Sequence, residues 1–155
     1  MRTGVRLGID VGKVRIGVSR SDPHGTLATP YETVARSEDA ADRRRIGEIV
    51  SELAVFEIIV GLPLALSGAQ TASTADAIEF AGTLDAEVDV PVRLVDERLS
   101  TVSAHSALRA SGKNSKKARP VVDQVAATII LQHALDAERA TGRPPGMLVD
   151  SNIGP

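Results

Sequence analysis

Val5-Arg6-Leu7-Gly8-Ile9-Asp10-Val11-Gly12-Lys13-Val14-Arg15-Ile16-Gly17-Val18-Ser19-Arg20 carries two β-rich runs, 5–11 and 14–20, on either side of Gly12-Lys13. Two such runs with a Gly between them predict a tight antiparallel hairpin. A third strand is expected over 27–34, at a sheet edge because Pro30 cannot donate to a ladder. Ile46, Ile49, Val50 and Leu53 recur at helical spacing within 40–54, with Arg43, Arg44, Arg45, Glu48 and Glu52 on the other faces, so an amphipathic helix follows. Glu57-Ile58-Ile59-Val60 is a short, nearly continuous apolar run ending at Gly61, as in a strand covered on both faces. Beyond it we expect a helix over 70–86, a buried strand over 90–95, and helices over 101–110 and from 121 to about 140. A hairpin and meander followed by helix-linked strands gives an α/β fold: a mixed sheet of about five strands flanked by helices, with the strand-end loops as the natural site.

The 155 residues suit one domain, residues 1–140, long enough to bury roughly 70% of the unfolded surface. The segment 141–155, with Gly142, Pro144, Pro145, Gly146, Gly154 and Pro155, reads as a flexible tail. Apolar residues make up 43% and charged residues 25%, as in an ordinary globular protein. The absence of cysteine excludes disulfides, thiolate zinc sites and cysteine nucleophiles, and fits a reducing cytoplasm. Met1-Arg2-Thr3-Gly4 leads straight into a strand, so no export signal is expected. The uncharged run Ile58 to Ala75 is broken by Gly61, Pro63 and Gly68, so no membrane span is expected either.

Net charge is −2, which makes no overall case for a polyanionic partner, but its distribution does. Between Leu99 and Val122 no acid occurs, whereas Arg109, Lys113, Lys116, Lys117 and Arg119 do, a stretch able to neutralise phosphates or simply to form a solvated loop. Only Tyr31, Phe56 and Phe80 are aromatic, so base stacking on aromatic platforms is nearly excluded. Recognition by shape and backbone, of structured RNA or branched DNA, is the natural mode.

Three carboxylates can converge in such a fold: Asp10 at the end of the first strand, Glu97 at the end of the 90–95 strand, and Asp123 at the start of the last helix. Oxygen ligands of this kind suit hard divalent cations. Each has a plainer role beside it: Asp10 as a turn carboxylate before Gly12, Asp123 as an acid favoured by the helix dipole after Pro120. Asp96 is expected on the opposite face from Glu97, by the alternation of a strand. Ser100 and Thr101 read as N-caps that can also receive a phosphate. Lys13, Arg15 and Arg98 are near the acids and can offset substrate charge. His24, His105 and His133 show no paired ligand spacing.

Gly8-Ile9-Asp10-Val11-Gly12 with Arg15-Ile16-Gly17-Val18, then Val60-Gly61-Leu62-Pro63, then Asp96-Glu97-Arg98-Leu99-Ser100-Thr101, then Asp123-Gln124-Val125-Ala126-Ala127 resembles the YqgF family, also called RuvX or Holliday-junction-resolvase-like. The resemblance runs in order from residue 5 to about 137. It implies a ribonuclease H-like fold and a metal-dependent nuclease, a hydrolase of phosphodiester bonds whose acidic triad maps onto Asp10, Glu97 and Asp123. Two Mg²⁺ or Mn²⁺ ions are implied, Asp10 bridging both. The associated tasks are maturation of the 5′ end of precursor 16S ribosomal RNA and, for some members, cutting Holliday junctions. Where many members carry Asn and Asp after Gly-Leu-Pro, this chain reads Leu64-Ala65-Leu66-Ser67-Gly68. Two rival readings stand beside this one. An actin-like ATPase opens with a similar hairpin but needs two domains. A non-catalytic nucleic-acid-binding, transcription-associated factor would leave the acids unused for turnover. A junction resolvase would call for a homodimer, two active sites for a two-fold substrate; end processing would not.

Overall fold

The computed structural model describes residues 1–98 and 115–149, with side chains in the last helix from Val122 onward. Strands β1 (Val5–Val11) and β2 (Arg15–Ser21) form the expected hairpin, with Asp10 opposite Gly17 and Val11 opposite Ile16. β3 (Ala28–Ala35) adds antiparallel to β2 and closes one edge of the sheet. Pro30 sits on this edge strand, and the β2–β3 register shifts between Val18 and Ser19, opposite it. β4 (Val55–Leu62) then pairs parallel with β1, and β5 (Val92–Asp96) parallel with β4. α1 (Ala41–Glu52) and α2 (Ala72–Glu87) are the connections between them.

The sheet has six strands rather than about five, in the order β3-β2-β1-β4-β5-β6. The sixth, β6 (Met147–Leu148), lies within the segment expected to be a loose tail and pairs antiparallel with β5. The Val149 amide also donates to the Val92 carbonyl at 2.8 Å. A strand of two residues directly after Pro145-Gly146 carries no periodicity, so the local sequence does not announce it.

Alternation along the strands splits the sheet into two faces. Leu7, Ile9, Ile16, Val18, Ile58, Val60, Val92 and Leu94 point to one face, packed on Ile46 and Ile49 of α1 and Phe80, Ala81 and Leu84 of α2. The other face meets α3 (Ser115–Thr141), which lays Ile130, Leu131, Ala134 and Leu135 against Ile59 and Ala28. The face under α3 is cleared by glycine: a Cβ on Gly17 would run into the Asp123 carbonyl oxygen, and one on Gly8 would meet the Ala127 carbonyl at 2.9 Å. Ser19 Oγ donates to that Ala127 oxygen at 2.8 Å, and Gln124 Nε2 to Thr33 Oγ1 at 2.9 Å, fixing the height and rotation of the helix.

α3 starts at Ser115, ahead of Pro120, not at Val121. Asp123 therefore lies roughly two turns into the helix, beyond the first turn where the dipole acts. This corrects the plainer reading of Asp123, because Pro favours a helix start without requiring one. The helix expected over 101–110, with His105, lies outside the described residues.

Candidate active site

The topology delivers Asp10 and Glu97 to one end of the sheet. β1, β4 and β5 run parallel, so the C-terminal ends of β1 and β5 lie at the same end, separated by the end of β4. The Glu97 amide donates to the Leu62 carbonyl at 3.3 Å, continuing the β4–β5 pairing one residue past the strand. Its side chain turns under α3, into space left by Gly61, where a Cβ would strike Glu97 Oε2 and would approach Ile130 Cδ1 at 2.6 Å. Asp96 is exposed, and both its oxygens hold Arg98, at 3.0 Å from the backbone amide and 2.8 Å from Nε.

Glu97 is 8% exposed, and its carboxyl is in hydrogen-bonding contact with that of Asp10. Burial, and then the charge of Asp123, push the Asp10 carboxyl up to about 7. Burial, then the neighbouring Asp10, push Glu97 up to about 8. Two carboxyls this close, withdrawn from water, hold a proton between them at neutral pH. Asp123 is raised by burial as well, and Arg15 opposes the rise: its Nε donates to Asp123 Oδ2 at 3.0 Å.

Asp10, Glu97 and Asp123 thus lie at the same end of the sheet, where β1 and β5 finish and α3 crosses. They do not form a ready cage, since no group of three such residues stands close enough to hold an ion among the described residues. Asp123 is drawn toward Arg15 instead. Their chemistry nonetheless fits a hard cation. Glu97 Oε2 is buried without a hydrogen-bond donor among the described residues, an oxygen lone pair that a bound cation would satisfy. Asp10 and Glu97 would hold such an ion from two strand ends, and Asp123 from the helix once released by Arg15.

The remaining candidates divide. Lys13 is exposed at the hairpin tip, and Arg15 is committed to Asp123. Arg98 belongs to Asp96, with its Nη1 3.5 Å from the Leu66 carbonyl. Ser100, Thr101 and Lys113 lie outside the described residues, as do the side chains of Lys116, Lys117 and Arg119. The loop after Gly61-Leu62-Pro63 is a small closed turn. Gly68 donates to the Ala65 carbonyl at 2.7 Å and Ala65 to the Ala69 carbonyl at 2.9 Å. It leaves Leu66 beside a cleft of about 430 Å³ that Asp96, Glu97, Arg98 and His133 also line. His133 was not legible as a site neighbour, because a lone histidine on a helix carries no spacing signal. The Thr74 hydroxyl donates to the Pro63 carbonyl, tying α2 to the same end of the sheet.

An antiparallel meander, two further strands parallel to the first, a helix across one face and acids where these meet define the ribonuclease H-like class of α/β domain. The fold is shared with the structure described as T. thermophilus RuvC in complex with Holliday junction substrate, at a TM-score of 0.55 and 19% identity over 91% of this chain and 99% of that one. A second structure, of Thermus thermophilus RuvC, gives a TM-score of 0.52 at 18% identity, covering 88% of this chain and 97% of the other. Residues 4–137 match the RuvX family, described as Holliday junction resolvase, and the chain belongs to that family. A protein of Leifsonia xyli subsp. xyli bearing the name "Putative pre-16S rRNA nuclease" is 80% identical over 155 residues, all of both chains. One of the same name from Clavibacter michiganensis subsp. michiganensis is 63% identical over 153 residues, covering 98% of this chain and 95% of its own.

Proposed function

We propose that this chain is a metal-dependent endonuclease that hydrolyses phosphodiester bonds in structured RNA, with 5′-end maturation of precursor 16S ribosomal RNA in the cytoplasm as its task. The observation that carries the reading is the contact between the Asp10 and Glu97 carboxyls, with the donor-free Glu97 Oε2 beside them and Asp123 across the site. The names of the relatives supply the substrate.

Two bound Mg²⁺ or Mn²⁺ ions would supply an activated water and charge for the departing 3′ oxygen. Asp10, Glu97 and Asp123 would hold them, Asp10 being the acid that feels the other two. Near-neutral pKa values let Asp10 and Glu97 exchange protons for cations close to physiological pH. Arg15, freed from Asp123, and Lys13 at the hairpin tip would face the phosphate backbone. Ser100 and Thr101, with the basic run Lys113, Lys116, Lys117 and Arg119, would grip flanking phosphates.

The family's own description favours a second reading, resolution of a four-way DNA junction by a homodimer. One experiment addresses both: cleavage of labelled precursor 16S RNA and of a four-way DNA junction, with Mn²⁺, with Mg²⁺ and with chelator, by wild type and Asp10→Asn. Metal-dependent cutting of the RNA, lost in the variant, is the expected result. Cutting of the junction alone would replace the first reading by the second. Binding of either polymer without cleavage under any metal would overturn both in favour of a binding factor.

A further inference from the structure

Arg36, the residue after β3, reaches the hairpin that carries Asp10. Its backbone amide donates to the Val14 carbonyl at 2.8 Å, and its Nη1 to the Gly12 carbonyl at 2.8 Å. The same guanidinium forks onto Asp76 of α2, Nη1 to Oδ2 at 2.9 Å and Nη2 to Oδ1 at 3.1 Å. Its Nε is 3.8 Å from the buried Asp42 of α1, and its Cζ lies over the Phe80 ring, 5.3 Å from the centre. A planar group with five donors can fork onto a carboxylate and still bond a carbonyl on another element, a geometry an ammonium does not offer.

The turn held in this way needs an outside anchor. Gly12 donates to the Arg15 carbonyl at 2.9 Å, closing the two-residue loop Lys13-Val14. Neither loop residue adopts positive φ, so the loop is not one of the primed turns whose twist matches that of the strands. Val14 is 66% exposed, so packing does not hold the tip. A Cβ on Gly12 would meet the Arg15 carbonyl at 2.5 Å, so the turn is tight. Asp10 lies two residues before Gly12, and Arg15, the partner of Asp123, directly follows the loop. A displacement of the turn therefore moves two members of the candidate site together.

We infer that Arg36 is a positioning residue for the active site: through the Gly12 carbonyl it sets the β1–β2 turn, and through the turn the placement of Asp10 and Arg15. Its effect on cleavage rests on the nuclease reading; its effect on the turn does not. The rival account is a staple that merely joins β3 to α2.

Three variants separate the two: Arg36→Gln, Arg36→Lys, which keeps a point charge for Asp76 but loses the fork, and Asp76→Asn, which breaks the ion pair while leaving the Gly12 bond. Each is followed by amide hydrogen exchange of the segment 8–16, by Mn²⁺ affinity in titration calorimetry, and by kcat and KM on precursor 16S RNA. Positioning predicts faster exchange in the turn for both Arg36 variants, with Mn²⁺ affinity and kcat lower by about 10–100-fold and KM nearly unchanged. Asp76→Asn should lose thermal stability yet keep wild-type exchange in the turn and wild-type Mn²⁺ affinity. Exchange in the turn that is unchanged in Arg36→Lys, or that rises equally in Asp76→Asn, would overturn the inference. If the turn loosens as expected while the wild type neither binds Mn²⁺ nor cuts RNA, the nuclease reading fails and the positioning of the turn stands.

Discussion

Asp10 and Glu97 are a liability to the metal-free protein, and the sign of that liability can be measured. Both carboxyls titrate above their ordinary range in the folded chain, at about 7 and about 8, and near 4 when unfolded. Between those limits the folded state holds more protons than the unfolded state, so stability falls as pH rises from about 4 to about 8 and then levels. Asp10→Asn removes one of the two charges and relieves the other. In chelator, the variant should therefore melt a few degrees above wild type at pH 9, with the gap closing toward pH 4.5. Equal or lower melting at pH 9 would mean that the two carboxyls do not repel one another in the fold. Asp10 and Glu97 could be picked out as candidates because each stands at the end of an apolar strand, whereas Asp123 stands inside α3. The ion pair of Arg15 with Asp123 was not, since it joins residues on separate elements whose crossing no local pattern encodes.

At the scale of elements, hydrophobic periodicity located β1, β2, β4, β5, α1 and α2 to within a few residues, because each buries a continuous stripe or alternate positions. It failed where packing overrides the local signal. Pro120 marked a helix start that α3 ignores, and Met147–Leu148 pair with β5 from a segment rich in Pro and Gly. Glycine showed its purpose only in three dimensions. Gly17 lets the α3 backbone descend onto β2 beside Asp10, and a Cβ there would collide with the Asp123 carbonyl oxygen, which cannot rotate away. Gly17→Ala should cost about 1–3 kcal/mol by overpacking, and should weaken Mn²⁺ binding because the helix carrying Asp123 must lift. Gly47→Ala is the control: it lies in α1 with nothing within 4 Å of the new methyl group, and should be neutral or stabilising by up to about 1 kcal/mol. Denaturant melts of both, with calorimetric Mn²⁺ titrations, check the pair. Equal Mn²⁺ affinity in the two variants would detach Asp123 from the site.

Across the whole molecule, the two ends of the sheet treat buried charge in opposite ways. At the N-terminal ends of β1 and β4, Arg2 bonds Glu57 at 2.8 Å and Glu138 at 2.6 Å, Arg6 bonds Glu138 at 3.1 Å, and Arg93 bonds Glu57 at 2.8 Å. Burial pushes Glu138 up, but its bonds from Arg2 outweigh that and hold it at about 2. At the far end Asp10 and Glu97 have each other and no cationic partner among the described residues, with Arg15 spent on Asp123 and Arg98 on Asp96. A buried anion is tolerated when paired and costly when not, so the site end is where a divalent cation has most to stabilise. Binding to the folded chain alone adds about 2.7 kcal/mol when the ion stands at 100 times its Kd. For a domain of this length that is a rise of roughly 5–10 °C in Tm. Because the ion must displace protons held near pH 7 and 8, the rise should be larger at pH 8.5 than at pH 6. Asp10→Asn should lose the rise, since it removes a proposed ligand and already lacks the repulsion. Thermal melts of both proteins over a Mn²⁺ series at the two pH values need neither substrate nor turnover. A wild type whose Tm ignores millimolar Mn²⁺ and Mg²⁺ would leave the three acids without a metal to hold, and the hydrolytic reading without its chemistry.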